Sequence, residues 1–507
     1  MNSITLIIPP SAFLLDERVF MSLGLLRVAA VLEQAGVAVE VLDLSGVANY
    51  LDALQTHLEE HATPVYGLTA TTPQMPAASQ IRDRIRTARP QARLILGGPH
   101  ITLVNAAARM EKNHGRAGRG AKAMAALAAG FDVLVAGDGE AAILEALAEA
   151  PPQIIDADDP ASPLFLSNER LTALPFPARH LVEVGSYHYQ IDGVPALSLI
   201  AQLGCPFGCG FCGGRLSPFL RRVRMRTAAS VVAEMRAMHQ AYGTRGFMLY
   251  DDELNVNPGM LDLMHRIAAL QRELGETFRL RGFIKSQLFT PAQAEAMYAA
   301  GFRWILVGFE SGSERILSNI QKKATRAENS RCMRIAHDYG LKVKALMSAG
   351  HPGESPQTLA ETQDWLIASQ PDDFDLTLIT TYPGTPYFDE AVESAPGVWT
   401  YTIAANGDQL HSLEVDYNTV AEYYKGVPGE YSSFVYTDAL DRRELVEWRD
   451  RIEAGVRERL HIPYNTGVAA QRYEHSMGQT GTAASASSLP ASIWRRSGAF
   501  RAAAGAS

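Results

Sequence analysis

Cysteine is scarce in this chain, with four in 507 residues. So few cannot build the disulfide framework of a secreted scaffold. Long apolar runs are also missing. No stretch approaches the ~18 residues a membrane-spanning helix needs. Basic charge is not in excess either: 46 Lys and Arg stand against 55 Asp and Glu, for a net charge of -9. Without a basic stripe to bind phosphates, no nucleic-acid partner is expected. The start, MNSITLIIPP, lacks a basic n-region and a small-residue cleavage site, so it reads as a first β-strand. PPSAFLLDE follows it and contains no G-x-G-x-x-G, which argues against a nicotinamide site.

What is present is a 47% hydrophobic composition, enough for a large core and roughly two or three domains. Over residues 1–150, strand-like and helix-like patterns alternate. Strands are expected at 3–10, 37–44, 64–70, 92–98 and 131–137, with helices at 22–36, 51–61 and 77–88. That alternation predicts a Rossmann-like, doubly wound parallel sheet, whose ligands bind beyond the strands' carboxyl ends. The stretch 105–129 reads as an insertion or long connection whose basic, Gly-containing centre is a mobile surface loop, and proline-rich 151–190 as a linker. A second series has strands at 196–203, 247–252, 278–284, 304–310, 342–350 and 374–380, separated by helical patterns. It predicts a partial (β/α)6 barrel over 191–395. Residues 396–470 are expected to be a small, mostly helical region, and 471–507, rich in Ala, Ser and Gly, a disordered tail.

Three cysteines, Cys205, Cys209 and Cys212, fall within eight residues in a C-x3-C-x2-C pattern directly after the first barrel strand. That places them on a loop at the barrel mouth. Such clustering favours metal ligation in a reducing compartment, hence the cytoplasm. Thiolates suit an iron–sulfur cluster, and three of them leave one iron of a [4Fe-4S] cube free for a small molecule. Structural zinc is the alternative, but it calls for a fourth protein ligand, and none follows closely. Cys332 falls in a later helical pattern and reads as a small core residue.

Here the chain resembles the radical S-adenosylmethionine (SAM) superfamily over about 190–390. The resemblance implies that the free iron binds SAM, which the reduced cluster cleaves to methionine and a 5′-deoxyadenosyl radical. It implies an external one-electron reductant of flavodoxin or ferredoxin type. Phe211 matches the aromatic position near the adenine, and Asp251, Asp252 and Glu253 the second-strand contact to the methionine amino group. Glu310 and Ser311 match the fourth-strand motif facing the ribose or amino group. Ala349–Glu354, with His351, resembles the fifth-strand motif. Each has a plain alternative: Asp252, Glu253 and Glu310 can cap the helices that follow, and His351 can serve only its turn.

A doubly wound domain ahead of such a barrel resembles the cobalamin (B12)-dependent radical SAM class. The residues that carry this are Gly97, Gly98, Pro99 and His100, then Gly137, Gly139 and Glu140, whose glycines let the backbone approach a bulky ligand. No D-x-H-x-x-G motif follows the first strand, so the resemblance offers no histidine for the lower face of cobalt. The loop Thr69–Gln74, with Thr71 and Thr72, is the candidate lining for that face. The implied activity is methylation of an unactivated carbon or of phosphorus in a small-molecule or lipid substrate. Oxidative cyclisation or rearrangement with the same cofactors is the alternative, as is a non-catalytic cobalamin-binding protein with a structural cluster. Methylthiotransfer to tRNA fits less well, since extra N-terminal cysteines and a basic C-terminal module are lacking. No individual catalytic residue is legible. The aromatics Tyr423, Tyr424, Tyr431, Phe434 and Tyr436 can cover the mouth or fill a core.

Overall fold

The structure, a computed structural model, describes residues 3–11, 17–115, 118–420, 433–463 and 494–496. Tyr423, Tyr424, Tyr431 and nearly all of 471–507 lie outside the described residues.

Six parallel strands form the N-terminal sheet: β1 (Ser3–Ile8), β2 (Ala38–Asp43), β3 (Val65–Thr69), β4 (Arg93–Gly97), β5 (Val133–Gly137) and β6 (Ile154–Ala157). Their order is β2-β1-β3-β4-β5-β6, so the winding reverses between β1 and β3. That reversal opens a crevice at the carboxyl ends, where ligands of such sheets bind. Helices Leu23–Gln34 and Gly139–Ala146 cover one face, and Tyr50–Glu60, Met75–Ala88, Pro99–Asn113 and Arg119–Gly130 the other. Alternate residues of β2 serve the two layers: Val39 and Val41 pack on the first, Leu42 on the second.

The second sheet begins with an antiparallel edge, β7 (Gln190–Ile191), beside β8 (Val194–Leu199). Gln202–Leu203 (β9) and Arg224–Met225 (β10) pair as a short ladder that brackets the cysteine loop. β11 (Gly246–Leu249), β12 (Arg279–Phe283), β13 (Phe302–Glu310), β14 (Lys342–Ala349) and β15 (Asp373–Leu378) continue the parallel series from β8. These six parallel strands make the expected partial barrel.

Three regions differ from the sequence expectation. The stretch 105–129 is two packed helices, not a long loop. The glycines that suggested a loop serve the junction. Glu111 accepts hydrogen bonds from the N–H groups of Gly118, Gly120 and Ala121 at 2.8–2.9 Å, which caps the second helix. Gly120 sits so close to the first helix that a Cβ would lie 2.9 Å from Ala107. The stretch read as a linker contains β6. Beyond the barrel, the mostly helical expectation is corrected. A four-stranded antiparallel sheet, β16 (Val392–Ala395), β17 (Val398–Thr402), β18 (Gln409–Leu413) and β19 (Val435–Tyr436), precedes the helix Arg442–Leu460. Its strands are two to five residues long and half-exposed, so they leave little apolar signal. Phe434 packs beside Phe388 and Tyr417, and Tyr436 stacks on His411 at 4.7 Å. From the tail, Trp494–Arg496 (β20) pairs antiparallel with β2.

Candidate active site

The cysteine loop is shaped by close backbone approaches. Gly204 has φ +84° and would place a Cβ 2.3 Å from the Arg222 carbonyl, so only glycine fits. The Gly210 N–H donates to Ile320 O at 2.8 Å, and a Cβ at Gly210 would lie 2.8 Å from the Tyr387 ring. The three Sγ atoms do not all come within 4.8 Å of one another; among the described residues only Glu40, His57 and His61 form such a group. A single tetrahedral zinc with Zn–S about 2.3 Å would draw its sulfurs to roughly 3.8 Å. The three sulfurs are not drawn together in that way. Burial pushes the Cys205 thiol up to about 11, and repulsion from Cys209 and Cys205 raises that of Cys212. Thiolates so placed need a cation, which bound iron supplies.

Around this loop the barrel assembles a charged wall. Glu310 adopts φ +65° at a bulge in β13, which turns its carboxylate inward. Lys322 Nζ donates to Glu310 Oε1 at 3.0 Å, and Ser348 Oγ donates to Oε2 at 2.8 Å. Gly308 leaves the room, since a Cβ there would lie 2.6 Å from Glu310. Burial opposes ionisation of Glu310, but Lys322 and the Ser348 hydrogen bond, acting together, outweigh it and hold the carboxyl below its ordinary value. The single Ser348 proton goes to Glu310, so His351 donates from Nε2 to Ser348 Oγ at 2.8 Å. His351 Nδ1 is then the acceptor for Tyr387 Oη at 3.5 Å. Burial lowers the His351 pKa to about 4, so the ring is neutral at physiological pH.

Glu253 carries an Oε2 buried without a hydrogen bond, and burial pushes its pKa to about 7 against the pull of Lys322 and Lys285. Lys285 itself is 2% exposed, with its pKa lowered by burial and by Lys322, and its ammonium lies 4.3 Å from the Phe207 ring centroid. Phe211 meets the His351 ring edge-on at 5.2 Å. Asp251 and Asp252 instead hold the approach to the loop. Asp251 accepts from the N–H groups of Ala201 and Gln202, and Asp252 from Gly204 at 2.7 Å. Ser311 turns away, toward Thr362 at 3.0 Å. Cys332 is fully buried in the barrel core. Lys285, Lys322 and Tyr387 were not legible in the sequence. Lys285 ends near a barrel strand's carboxyl terminus, a positional signal. Lys322 lies in an irregular turn between residues with positive φ, and nothing local marks it.

The second half is a cavity of about 300 Å³ at the carboxyl ends of β3, β4 and β5. Thr71, Gly97, Gly98, Pro99, Gly137, Gly139 and Glu140 line it; Thr72 and His100 do not. They bond to each other at 3.1 Å, both buried. Gly98, at φ +98°, would put a Cβ 2.6 Å from Thr69 Oγ1. An adjoining cavity of about 470 Å³ shares Ser22, Gly24, Thr71, Gln74 and Ile200 and reaches Tyr250, so the two form one cleft. From the barrel, Ile200, Leu203 and Phe219 close the first cavity, and Leu203 and Phe219 flank the cysteine loop. A largely apolar cleft at this crevice, with glycine walls, fits a bulky planar cofactor.

The family comparisons match both halves separately. The B12 binding domain model covers residues 17–128, and the Radical SAM superfamily model residues 199–366. The chain belongs to the cobalamin-dependent radical SAM enzymes. An uncharacterized methyltransferase of Pyrococcus horikoshii is 26% identical over 365 residues, 68% of this chain and 70% of that protein. The anaerobic magnesium-protoporphyrin IX monomethyl ester cyclase of Rubrivivax gelatinosus is 23% identical over 472 residues, 88% and 75% of the two chains. The solved radical SAM methyltransferase TsrM of Kitasatospora setae shares the fold, with TM-score 0.61 at 19% identity over 94% of this chain and 93% of that one. These domains imply a [4Fe-4S] cluster, SAM and cobalamin as the cofactors of this radical SAM enzyme. No helix among the described residues is long and apolar enough to cross a membrane.

Two buried clamps tie the enzyme's domains together. Arg224 on β10 donates to Asp138 at 2.5 Å, and Asp138 also accepts from Leu166 N. Asp158, after β6, accepts from Ser217 Oγ at 2.6 Å and from Phe219 N at 2.8 Å, which sets Phe219 over the cavity. Arg224→Ala leaves Asp138 buried without its ion-pair partner. The expected cost is about 3–5 kcal/mol, read by denaturant unfolding.

Acid should weaken the fold through two histidines. Burial lowers the pKa of both His100 and His351 to about 4. The unfolded chain binds these protons near pH 6.5, about 2.5 units earlier. Stability from both is intact above that pH and falls as pH drops toward 4, by at most about 3 kcal/mol each. Unfolding curves at pH 7 and pH 5 check this, and a His100→Gln variant should show a shallower loss.

Proposed function

We propose that this enzyme transfers a methyl group to an unactivated carbon, or to phosphorus, of a small-molecule or lipid substrate. The observation that carries the reading is the single cleft: Leu203 and Phe219 flank the cysteine loop and also wall the glycine-lined cavity. When bound, the cluster supplies the electron that cleaves SAM, and cobalamin supplies a metal that carries a methyl group.

The chain's own residues position and shield this chemistry. Cys205, Cys209 and Cys212 hold the cluster. Glu253, Glu310, Lys285 and Lys322 offer alternating charges to the amino-acid end of SAM, and Phe211 backed by His351 offers an apolar wall to its adenine. Asp251 and Asp252 set the backbone leading into the loop. Thr71, Gly97, Gly98, Pro99, Gly137, Gly139 and Glu140 surround cobalamin, with Thr72 and His100 supporting from below. Thr69–Gln74 would line the lower side of cobalamin, at the cavity wall formed by Thr69, Thr71 and Gln74. Ile200, Leu203 and Phe219 keep water from the junction. Ser311 is assigned to bracing the helix Pro356–Ser369, given its bond to Thr362. With β6 counted into the first sheet, the domain limits taken with this reading are 1–157 for cobalamin binding, 158–190 for the connection and 191–395 for the barrel. A flavodoxin- or ferredoxin-type reductant in the cytoplasm supplies the electron.

The cyclase relative favours a second reading, oxidative cyclisation with the same cofactors. Anaerobic incubation with SAM, reductant, hydroxocobalamin and candidate substrates separates the two by product mass. A gain of one methylene unit supports methylation, and a loss of two hydrogens replaces it with cyclisation. Absence of 5′-deoxyadenosine under every condition would sink the radical mechanism assigned here.

A further inference from the structure

A second cluster of ligating side chains lies in the N-terminal domain, at the end of the sheet opposite the cofactor cleft. It sits where the pattern of both elements calls for apolar residues. Glu40 shares its face of β2 with Leu42, beneath the helix Tyr50–Glu60, and is fully buried. His57 and His61 continue the stripe that Leu54 and Leu58 begin on that helix. The side chain of His57 is wholly buried and that of His61 17% exposed. One ligand atom from each of the three residues lies within 4.8 Å of the others. His57 Nε2 stands 3.5 Å from Glu40 Oε2. The two rings are tilted, with centroids 4.9 Å apart. Thr5 Oγ1 donates to Glu40 Oε2 at 3.3 Å and also lies 2.9 Å from Thr63 Oγ1.

A carboxylate and two imidazoles on faces that otherwise carry leucine form a set of ligating groups, and their spacing says what kind of ion fits them. A tetrahedral ion with ligand bonds of about 2.0–2.1 Å separates its ligand atoms by roughly 3.3–3.4 Å. The Glu40–His57 separation is that of two ligands about one ion. The donor set, two imidazoles and one carboxylate without sulfur, suits zinc or a similar divalent transition ion. Oxygen-loving magnesium and calcium would not choose two imidazoles. His61, held one turn beyond His57 and partly exposed, gives the ion its way in. Thr5 then orients the ligating carboxylate from behind, as outer hydrogen bonds do around bound metals.

We propose that Glu40, His57 and His61 bind one zinc-class divalent ion, separate from the iron of the cysteine loop. The ion ties β2 to the end of the helix Tyr50–Glu60, and a water fills its fourth position. The site is structural, and cobalamin, SAM and cluster chemistry do not pass through it.

The test uses the cluster-loaded full chain, prepared anaerobically with added zinc and dialysed against a mild chelator. Metal analysis should find about one zinc per chain beside the cluster iron. X-ray absorption at the zinc edge sees zinc alone, and it should give only nitrogen and oxygen neighbours near 2.0–2.1 Å. His61→Ala, at the exposed rim, should lose at least about nine-tenths of the zinc with iron content unchanged, as should Glu40→Gln. Should His61→Ala misfold, the zinc-edge spectrum of the wild-type chain still decides. Sulfur neighbours near 2.3 Å would assign the zinc to the cysteines and overturn the proposal. So would wild-type protein that retains no zinc, since the trio is then a buried carboxylate–histidine pair. Equal zinc in wild type and both variants would overturn it as well.

Discussion

Cys209→Ala should abolish cluster iron and 5′-deoxyadenosine formation together while leaving the fold in place. The wild-type chain is expected to hold about four irons, and the variant close to none. Two thiolates cannot keep a cube whose fourth corner is already open. Turnover should fall at least about a thousandfold, which corresponds to about 4 kcal/mol of lost transition-state stabilisation. The fold should survive because the backbone of the loop is anchored independently of the sulfur. Cys205 N–H donates to Leu220 O, Gly210 N–H donates to Ile320 O, and Gly210 O accepts from Tyr387 N–H. Circular dichroism and denaturant unfolding should therefore match the apo wild type. Cys332→Ala is the control. It leaves a small void in the barrel core, costs about 1–2 kcal/mol and keeps all the iron. Iron retained by Cys209→Ala in an active enzyme would remove the cluster assignment.

Gly24→Phe should empty the cobalamin cleft without disturbing the cluster. Gly24 is the second residue of the helix Leu23–Gln34 and lines both cavities. A Cβ built there meets nothing within 4 Å, so a side chain enters the cleft instead of the core. Gly24 also lacks the left-handed backbone of its neighbours in the site; Gly98 and Gly137 sit at φ +98° and +86°, and replacing them would strain the chain as well as fill the cleft. Gly24→Phe separates the two effects. Cobalamin retained through gel filtration should drop at least about tenfold, or about 1.4 kcal/mol of binding. Iron content should not change. Gly24→Ala should gain about 0.5–1 kcal/mol in unfolding free energy, because glycine inside a helix is unfavourable. Cobalamin bound equally by Gly24→Phe would place the cofactor elsewhere.

These two variants fall on residues of different legibility. Cys209 is read directly from C-x3-C-x2-C, because the chemistry demands sulfur at that spacing and no fold argument is needed. Gly24 carries no motif. It becomes informative only when the first helix and β3 are seen to open on the same space. The same holds for Lys322, which lies outside any motif 12 positions after Glu310 but 3.0 Å from its carboxylate. Asp251 shows the reverse. Its place after a barrel strand was legible, yet its carboxylate turns to the backbone of Ala201 and Gln202.

Local pattern determined the doubly wound sheet, the partial barrel and the cysteine loop after the barrel's first strand, since apolar alternation and ligand spacing are local properties of a chain. Tertiary structure alone decided which helices lay in 105–129, that an antiparallel sheet follows the barrel, and which polar residues meet. Such meetings depend on where separate elements cross. Glu40 and His57 are 17 positions apart by number, yet they meet only because a helix lies across its own strand.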